Sequence, residues 1–287
     1  MNIASMIDYT NLKKDATADD IIKLCNEAIK YHFPTVCVPP YYVKAAKEYL
    51  QGSTVEVCTV IGFPNGYSTQ EVKQFEAINA VENGADEIDM VININALKNK
   101  AYDYVKDEIE LVRDTLDGKV LKVIIETSIL TNEEIIKMTE ICNDTFVNFI
   151  KTSTGFDSKG ATVEDIELIM KHKNDVLEVK ASGGIKNTED AIKFIELGVT
   201  RLGTSHGVEI VNNVCDCDCD CDCDCDCDCG CHFGKECTCG DECTCGDDCN
   251  CHNKNEKGKD KEKTKEKNDD NDKKHNCKDH KCHCKEK

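Results

Sequence analysis

Eight short apolar runs, each followed by an amphipathic stretch, set the fold of residues 1–214. The runs fall at 5–9, 35–38, 55–61, 87–92, 121–126, 146–151, 177–181 and 200–203. A strand followed by a helix cannot turn back as a hairpin, so its neighbour runs parallel and the helix covers one face of the sheet. Eight such units predict a closed (β/α)8 TIM barrel, with an open doubly wound sheet as the alternative. The helix starts are chemically marked. Thr17 with Asp20, and Thr131 with Glu134, read as capping boxes, Thr162 and Asn187 read as N-caps, and a further helix starts at Ser68. Gly198 reads as a C-cap.

After Val214 this pattern stops. The stretch VCDCDCDCDCDCDCDCGC (214–231) alternates thiols with carboxylates, and 18 of the 22 cysteines follow Val214. The chain therefore divides into a barrel domain (1–214), a cysteine-rich segment (215–252), a charged linker expected to be disordered (253–276) and a short Cys/His cluster (277–287). The net charge of −19 argues against a nucleic-acid partner, which calls for a basic footprint. Neither a leader pattern nor a long apolar run occurs, so a cytoplasmic protein with no membrane partner is expected. In that compartment clustered thiols read as metal ligands before disulfides.

Strand alternation locates the chemistry. In DEIDMVI the apolar set Ile88, Met90 and Ile92 faces the helices, which turns Glu87 and Asp89 into the barrel. In LEVKA the same argument turns Glu178 and Lys180 inward. Lys151 shares a face with Phe149, and Lys122 with Glu126. Barrel enzymes work at the C-terminal ends of their strands, and a charge buried there is costly. Two lysines and a carboxylate in one cavity suit Schiff-base chemistry. A lysine amine attacks a carbonyl only when unprotonated, and its reference pKa is about 10.4. A second ammonium and partial desolvation favour the free amine. The alternative is that these lysines snorkel to the surface. ASGGI (181–185) and GTSHG (203–207) follow the seventh and eighth strands, where such barrels place a phosphate. Together these features suggest a phosphorylated carbonyl substrate.

At this point the chain resembles a known family. IDYTNLKKDAT (7–17), TVCVPPYYV (35–43), VCTVIGFPNGYST (57–69), GADEIDMVINI (84–94), LKVIIETSIL (121–130), FIKTSTGF (149–156), GATVEDI (160–166), VKASGGIK (179–186) and RLGTSHGV (201–208) resemble, in order and spacing, the deoxyribose-phosphate aldolases. The resemblance implies Lys151 as Schiff-base nucleophile, Lys180 as its pKa-lowering neighbour and proton relay, and Asp89 as a proton or water handler. It implies a phosphate site at Gly155, Gly183, Gly184, Thr204 and Ser205, with Asp8 and Cys37 near the pocket. It further implies a phosphorylated sugar as small-molecule substrate and no cofactor for the catalysis, and it leaves room for a homodimer. The chain departs from the family pattern at Tyr9, Asn11 and His206, and has no tyrosine after Tyr104.

The cysteine-rich segment carries a separate expectation. Thiolates select soft ions, so Cys215, Cys217, Cys219, Cys221, Cys223, Cys225, Cys227, Cys229, Cys231, Cys237, Cys239, Cys243, Cys245, Cys249 and Cys251 are candidate ligands for zinc or Cu(I). Competing readings are an unselected low-complexity repeat, a redox sponge and a product of fusion. The alternative function is a metal-buffering protein carried on a weakened barrel.

Overall fold

The computed structural model describes residues 2–156 and 159–212, so the candidate metal ligands, the linker and the terminal cluster lie outside the described residues. The strands β1 (Ile7–Thr10), β2 (Thr35–Val38), β3 (Glu56–Ile61), β4 (Glu87–Val91), β5 (Val120–Ile124), β6 (Phe149–Lys151), β7 (Glu178–Ser182) and β8 (Arg201–Thr204) are parallel and close on themselves in sequence order. Closure is made by β1 against β8, where Ile7 pairs with Leu202 and Tyr9 with Thr204. That pairing excludes the open sheet.

The crossovers are helical. They comprise α1 (Ala18–Tyr31), α2 (Val43–Tyr49), α3 (Gln70–Glu82), α4 (Ile94–Lys98), α5 (Tyr102–Thr115), α6 (Asn132–Asp144), α7 (Val163–His172), α8 (Thr188–Glu196) and α9 (Gly207–Asn212). Both expected capping boxes form, and Thr162 and Asn187 cap α7 and α8 with their side chains. Thr69, not Ser68, stands at the N-cap position of α3, without a side-chain hydrogen bond to the helix. Gly198 stands one residue past the cap of α8 at φ +95°, the left-handed position that a Cβ disfavours.

The apolar core lies between sheet and helices. Ile88, Met90, Leu121, Val123, Ile150, Val179, Ala181 and Leu202 are fully buried there. Each fully buried aliphatic side chain contributes roughly 1.5–3 kcal/mol. Among the described residues no helix is long and apolar enough to cross a membrane.

Three expected boundaries shift by two residues or more, for local reasons. The first strand starts at Ile7 because Ala4–Met6 forms a 3-10 turn. The sixth is confined to Phe149–Lys151, with Phe146 in the left-handed region at φ +52°. The fifth ends at Ile124, and Glu126 is left-handed at φ +56°. Glu126 therefore leaves the face of Lys122 and accepts from the backbone N–H of Thr154 at 2.9 Å.

Candidate active site

The alternation that buries Ile88 and Met90 outward points Asp89 into the barrel, where it is fully buried. Its Oδ2 accepts from Lys151 Nζ and Lys180 Nζ, each at 2.7 Å. Its Oδ1 accepts from Lys122 Nζ at 2.8 Å and from Cys58 Sγ at 3.2 Å. Strand register delivers these partners, since Asp89 pairs with Lys122, Ile124 with Lys151, and Lys151 with Lys180. Lys151 and Lys180 therefore lie side by side at one level.

Below them the network continues. Asp8 Oδ2 accepts from Lys180 Nζ, and Asp8 Oδ1 accepts from Thr35 Oγ1 at 2.7 Å and Arg201 at 2.6 Å. Lys122 Nζ also lies 2.6 Å from Glu87 Oε2. Burial favours the neutral form of each acid, but the lysines around them outweigh it and hold the carboxyls of Asp8 and Asp89 well below the usual range. Burial likewise disfavours the Lys180 ammonium, yet Asp8 and Asp89 outweigh it and raise its pKa. Lys122 is raised in the same way. Lys180 is thus a fixed positive charge beside Lys151. Glu178, expected to point inward, is exposed at the start of β7 and accepts from Thr200 Oγ1 at 2.7 Å.

Above the network opens a cleft of about 510 Å³. Lys151, Gly155, Gly183, Gly184, Thr204 and Ser205 line it, so the nucleophile candidate and the phosphate-site candidates meet in one place. Gly155, Gly183 and Gly184 all have φ near +80°, which turns backbone toward the cleft without a side chain. Gly160 packs directly on Gly183, since a Cβ at Gly160 would lie 2.0 Å from the Gly183 carbonyl oxygen. Thr204 Oγ1 donates to the Ile185 carbonyl at 2.7 Å and accepts from His206 N–H at 2.9 Å, tying together the loops after β7 and β8. Ser205 Oγ and His206 Nδ1 lie 3.2 Å apart.

Asp8, Cys37, Asp89 and Lys180 are not among the lining residues and form the layer beneath. Cys37 is fully buried with Cys58 and Val60, and Leu12 and Phe63 pack on that cluster. Sequence reasoning gave no role to Arg201, and read Gly203 only as the start of the GTSHG phosphate loop. Arg201 bridges Asp8 and Glu87 and lies over the Phe149 ring at 5.4 Å. A Cβ at Gly203 would lie 2.5 Å from Ser182 Oγ and 3.0 Å from Lys180 Cε. Its closeness to Ser182 and Lys180 comes from strand register, with Ser182 opposite Gly203, and Arg201 offered only a charge at a strand start.

A lysine-centred, glycine-lined mouth on a closed (β/α)8 barrel defines a barrel enzyme. The chain belongs to the DeoC/LacD family of aldolases, and so to the lyases, through a family match over residues 3–215. The deoxyribose-phosphate aldolase of Thermococcus gammatolerans is 55% identical over 215 residues, which cover 74% of this chain and 96% of that protein. That of Metamycoplasma arthritidis is 50% identical over 214 residues, covering 75% and 99%. Among solved structures, the deoxyribose phosphate aldolase of Aeropyrum pernix, described as tetrameric, is 30% identical with a TM-score of 0.67, covering 73% of this chain and 89% of that one.

Proposed function

We propose that this chain reversibly cleaves 2-deoxy-D-ribose 5-phosphate to D-glyceraldehyde 3-phosphate and acetaldehyde through a Schiff base on Lys151. The observation that carries the proposal is the shared oxygen: Asp89 Oδ2 takes hydrogen bonds from both Lys151 and Lys180 directly beneath the cleft. The names of the relatives support the substrate.

The chemistry follows from the charges. Three interior carboxylates, Asp8, Glu87 and Asp89, face four cationic side chains, Lys122, Lys151, Lys180 and Arg201. Lys151 attacks as its free amine. Lys151 is also the one of the three lysines at the cleft surface. Its Nζ adds to the sugar C1 carbonyl, and the carbinolamine loses water to an iminium. The C3 hydroxyl gives up its proton, the C2–C3 bond breaks, and its electron pair moves to the iminium nitrogen as an enamine. Glyceraldehyde 3-phosphate leaves. Protonation at C2 and hydrolysis release acetaldehyde and restore Lys151. Lys180, cationic at rest, relays protons that it regains within the cycle, and Asp89 orients it and water, steps worth roughly 10²–10⁴-fold. The loops at Gly183–Gly184 and Thr204–His206 hold the phosphate, and no cofactor takes part. Borohydride reduction in the presence of acetaldehyde tests this: the adduct is expected on Lys151, and an adduct on another lysine overturns the assignment.

We further propose that residues 215–252 bind soft metal ions through their thiols, separably from catalysis, in the cytoplasm. The thiol density of the segment supports this. A chain ending at Val214 is expected to keep aldolase activity and to lose nearly all zinc or copper binding. Equal metal binding by both chains, or loss of activity on truncation, overturns it.

A further inference from the structure

Ser182 closes β7 two residues beyond Lys180, on the same inward face and one step nearer the mouth. Its main chain is pinned on both sides: its N–H donates to Thr152 Oγ1 at 3.1 Å, and its carbonyl accepts from that hydroxyl at 3.3 Å. Its side chain is treated differently. The residue is 4% exposed and lines the cleft, yet among the described residues its hydroxyl has no hydrogen-bond partner. Buried hydroxyls are normally satisfied, and leaving one without a partner costs stability. The β8 backbone also makes room for it. Gly203 pairs with Ser182, and a Cβ there would lie 2.5 Å from the Ser182 hydroxyl oxygen. The bare backbone at Gly203 therefore gives the hydroxyl itself room against β8, at the wall of the cleft, and no described protein group satisfies it.

We infer that Ser182 Oγ is a substrate-binding group for the hydroxyl on the carbon next to the phosphate-bearing carbon, C4 of the sugar and C2 of glyceraldehyde 3-phosphate. The inference rests on the functional reading above. With C1 on Lys151 and the phosphate on the loops, the substrate spans the cleft between them, and Ser182 borders that span. The C3 oxygen is the reacting group and is served by the Lys180–Asp89 layer. The C4 hydroxyl takes no part in bond breaking and needs a fixed partner if it is to help select the acceptor. A site that hydrogen-bonds a substrate hydroxyl rejects the analogue lacking it.

The test is aldol synthesis from acetaldehyde with two acceptors, D-glyceraldehyde 3-phosphate and 3-phosphooxypropanal, which lacks that hydroxyl. In the unmodified full chain the first acceptor is expected to have the higher kcat/KM, by about tenfold for one hydrogen bond. Ser182→Ala is expected to lower kcat/KM for glyceraldehyde 3-phosphate by about the same factor. It should leave the deoxy acceptor unchanged and melt no lower than the parent, because the deleted hydroxyl has no described protein partner. Equal losses on both acceptors, or no loss on either, overturn the inference while leaving the aldolase reading intact. A parent chain that joins acetaldehyde to neither acceptor overturns the functional reading itself, and this inference with it.

Discussion

Lys151 and Lys180 donate to one and the same atom, Asp89 Oδ2, at 2.7 Å each. The two amines come from adjacent strands in direct register, and the acid on β4 reaches them from two and three strands away, across β5. One carboxylate oxygen thus fixes the spacing of the nucleophile and its charged neighbour. Among the described residues Lys151 has no other ion-pair partner, whereas Lys180 also donates to Asp8 Oδ2.

Asp89→Asn removes that shared charge and leaves three lysines facing an amide. Breaking one member of a buried ion network typically costs about 3–5 kcal/mol. Urea unfolding is expected to show a loss of that size, together with at least a hundredfold loss in kcat. Retention of either property near the parent level would show that Lys122 and Lys180 find other counter-charges.

Lys180→Leu keeps the volume and deletes the fixed ammonium beside Lys151. Lys151 should still be trapped by acetaldehyde and borohydride, but turnover at pH 7 should fall by roughly 10²-fold or more, the scale of a lost proton donor. Trapping and turnover that fall in equal proportion would instead assign Lys180 to placing the nucleophile.

Ser205→Asp sets a carboxylate at the mouth, where the phosphate is proposed to sit. Two like charges at close range repel, so KM for the phosphorylated sugar should rise at least tenfold. Cleavage of unphosphorylated deoxyribose should change much less. Parallel losses on both sugars would place the phosphate elsewhere.

Stability should depend on pH in a defined way. Asp8 and Asp89 are held below their unfolded value of about 3.9, so their contribution is present above pH ~4 and is lost as pH falls through the folded values. Lys122 and Lys180 are raised, so theirs is present below pH ~10.4 and is lost as pH climbs through the folded values. Urea midpoints are expected to form a plateau between about pH 5 and 9 with an acid limb below it. Asp8→Asn should make that limb shallower; an unchanged limb would place the acid sensitivity in other carboxylates.

Much of this site was legible because strands repeat every two residues. Asp89, Lys151 and Lys180 sit among apolar neighbours whose burial leaves one direction for the charges. The rule failed where the backbone departs from a strand. Glu126 turns left-handed and braces the loop at Thr154, and Glu178 sits at the solvent end of β7. Helix periodicity failed at Lys73 for another reason. The side chains of Lys73 and Glu108 are fully buried, with Nζ 2.7 Å from Oε2, and Glu108 Oε1 accepts from the Asn93 N–H at 2.5 Å. A lysine on the buried face of α3, with Val72, Phe75 and Ile78 exposed, inverts the pattern that predicts which face packs. The pair makes sense only once α5 and the end of β4 are in place, which is tertiary information.

The interior charges of the barrel also bear on how this sequence can change. Asp8, Glu87, Asp89, Lys122, Lys180 and Arg201 belong to five different strands, yet each ion pair shares a member with another. Substituting any one of them strands a partner in a dry layer, and the penalty depends on which partners remain, so effects at these sites do not add. Single steps away from the present set are uphill, and a compensating second step must come from a different strand. Directed evolution of this barrel should therefore find its accepted changes around the cleft rim, at positions such as Asn11, Phe156 and His206, while the charged layer moves only by coordinated pairs.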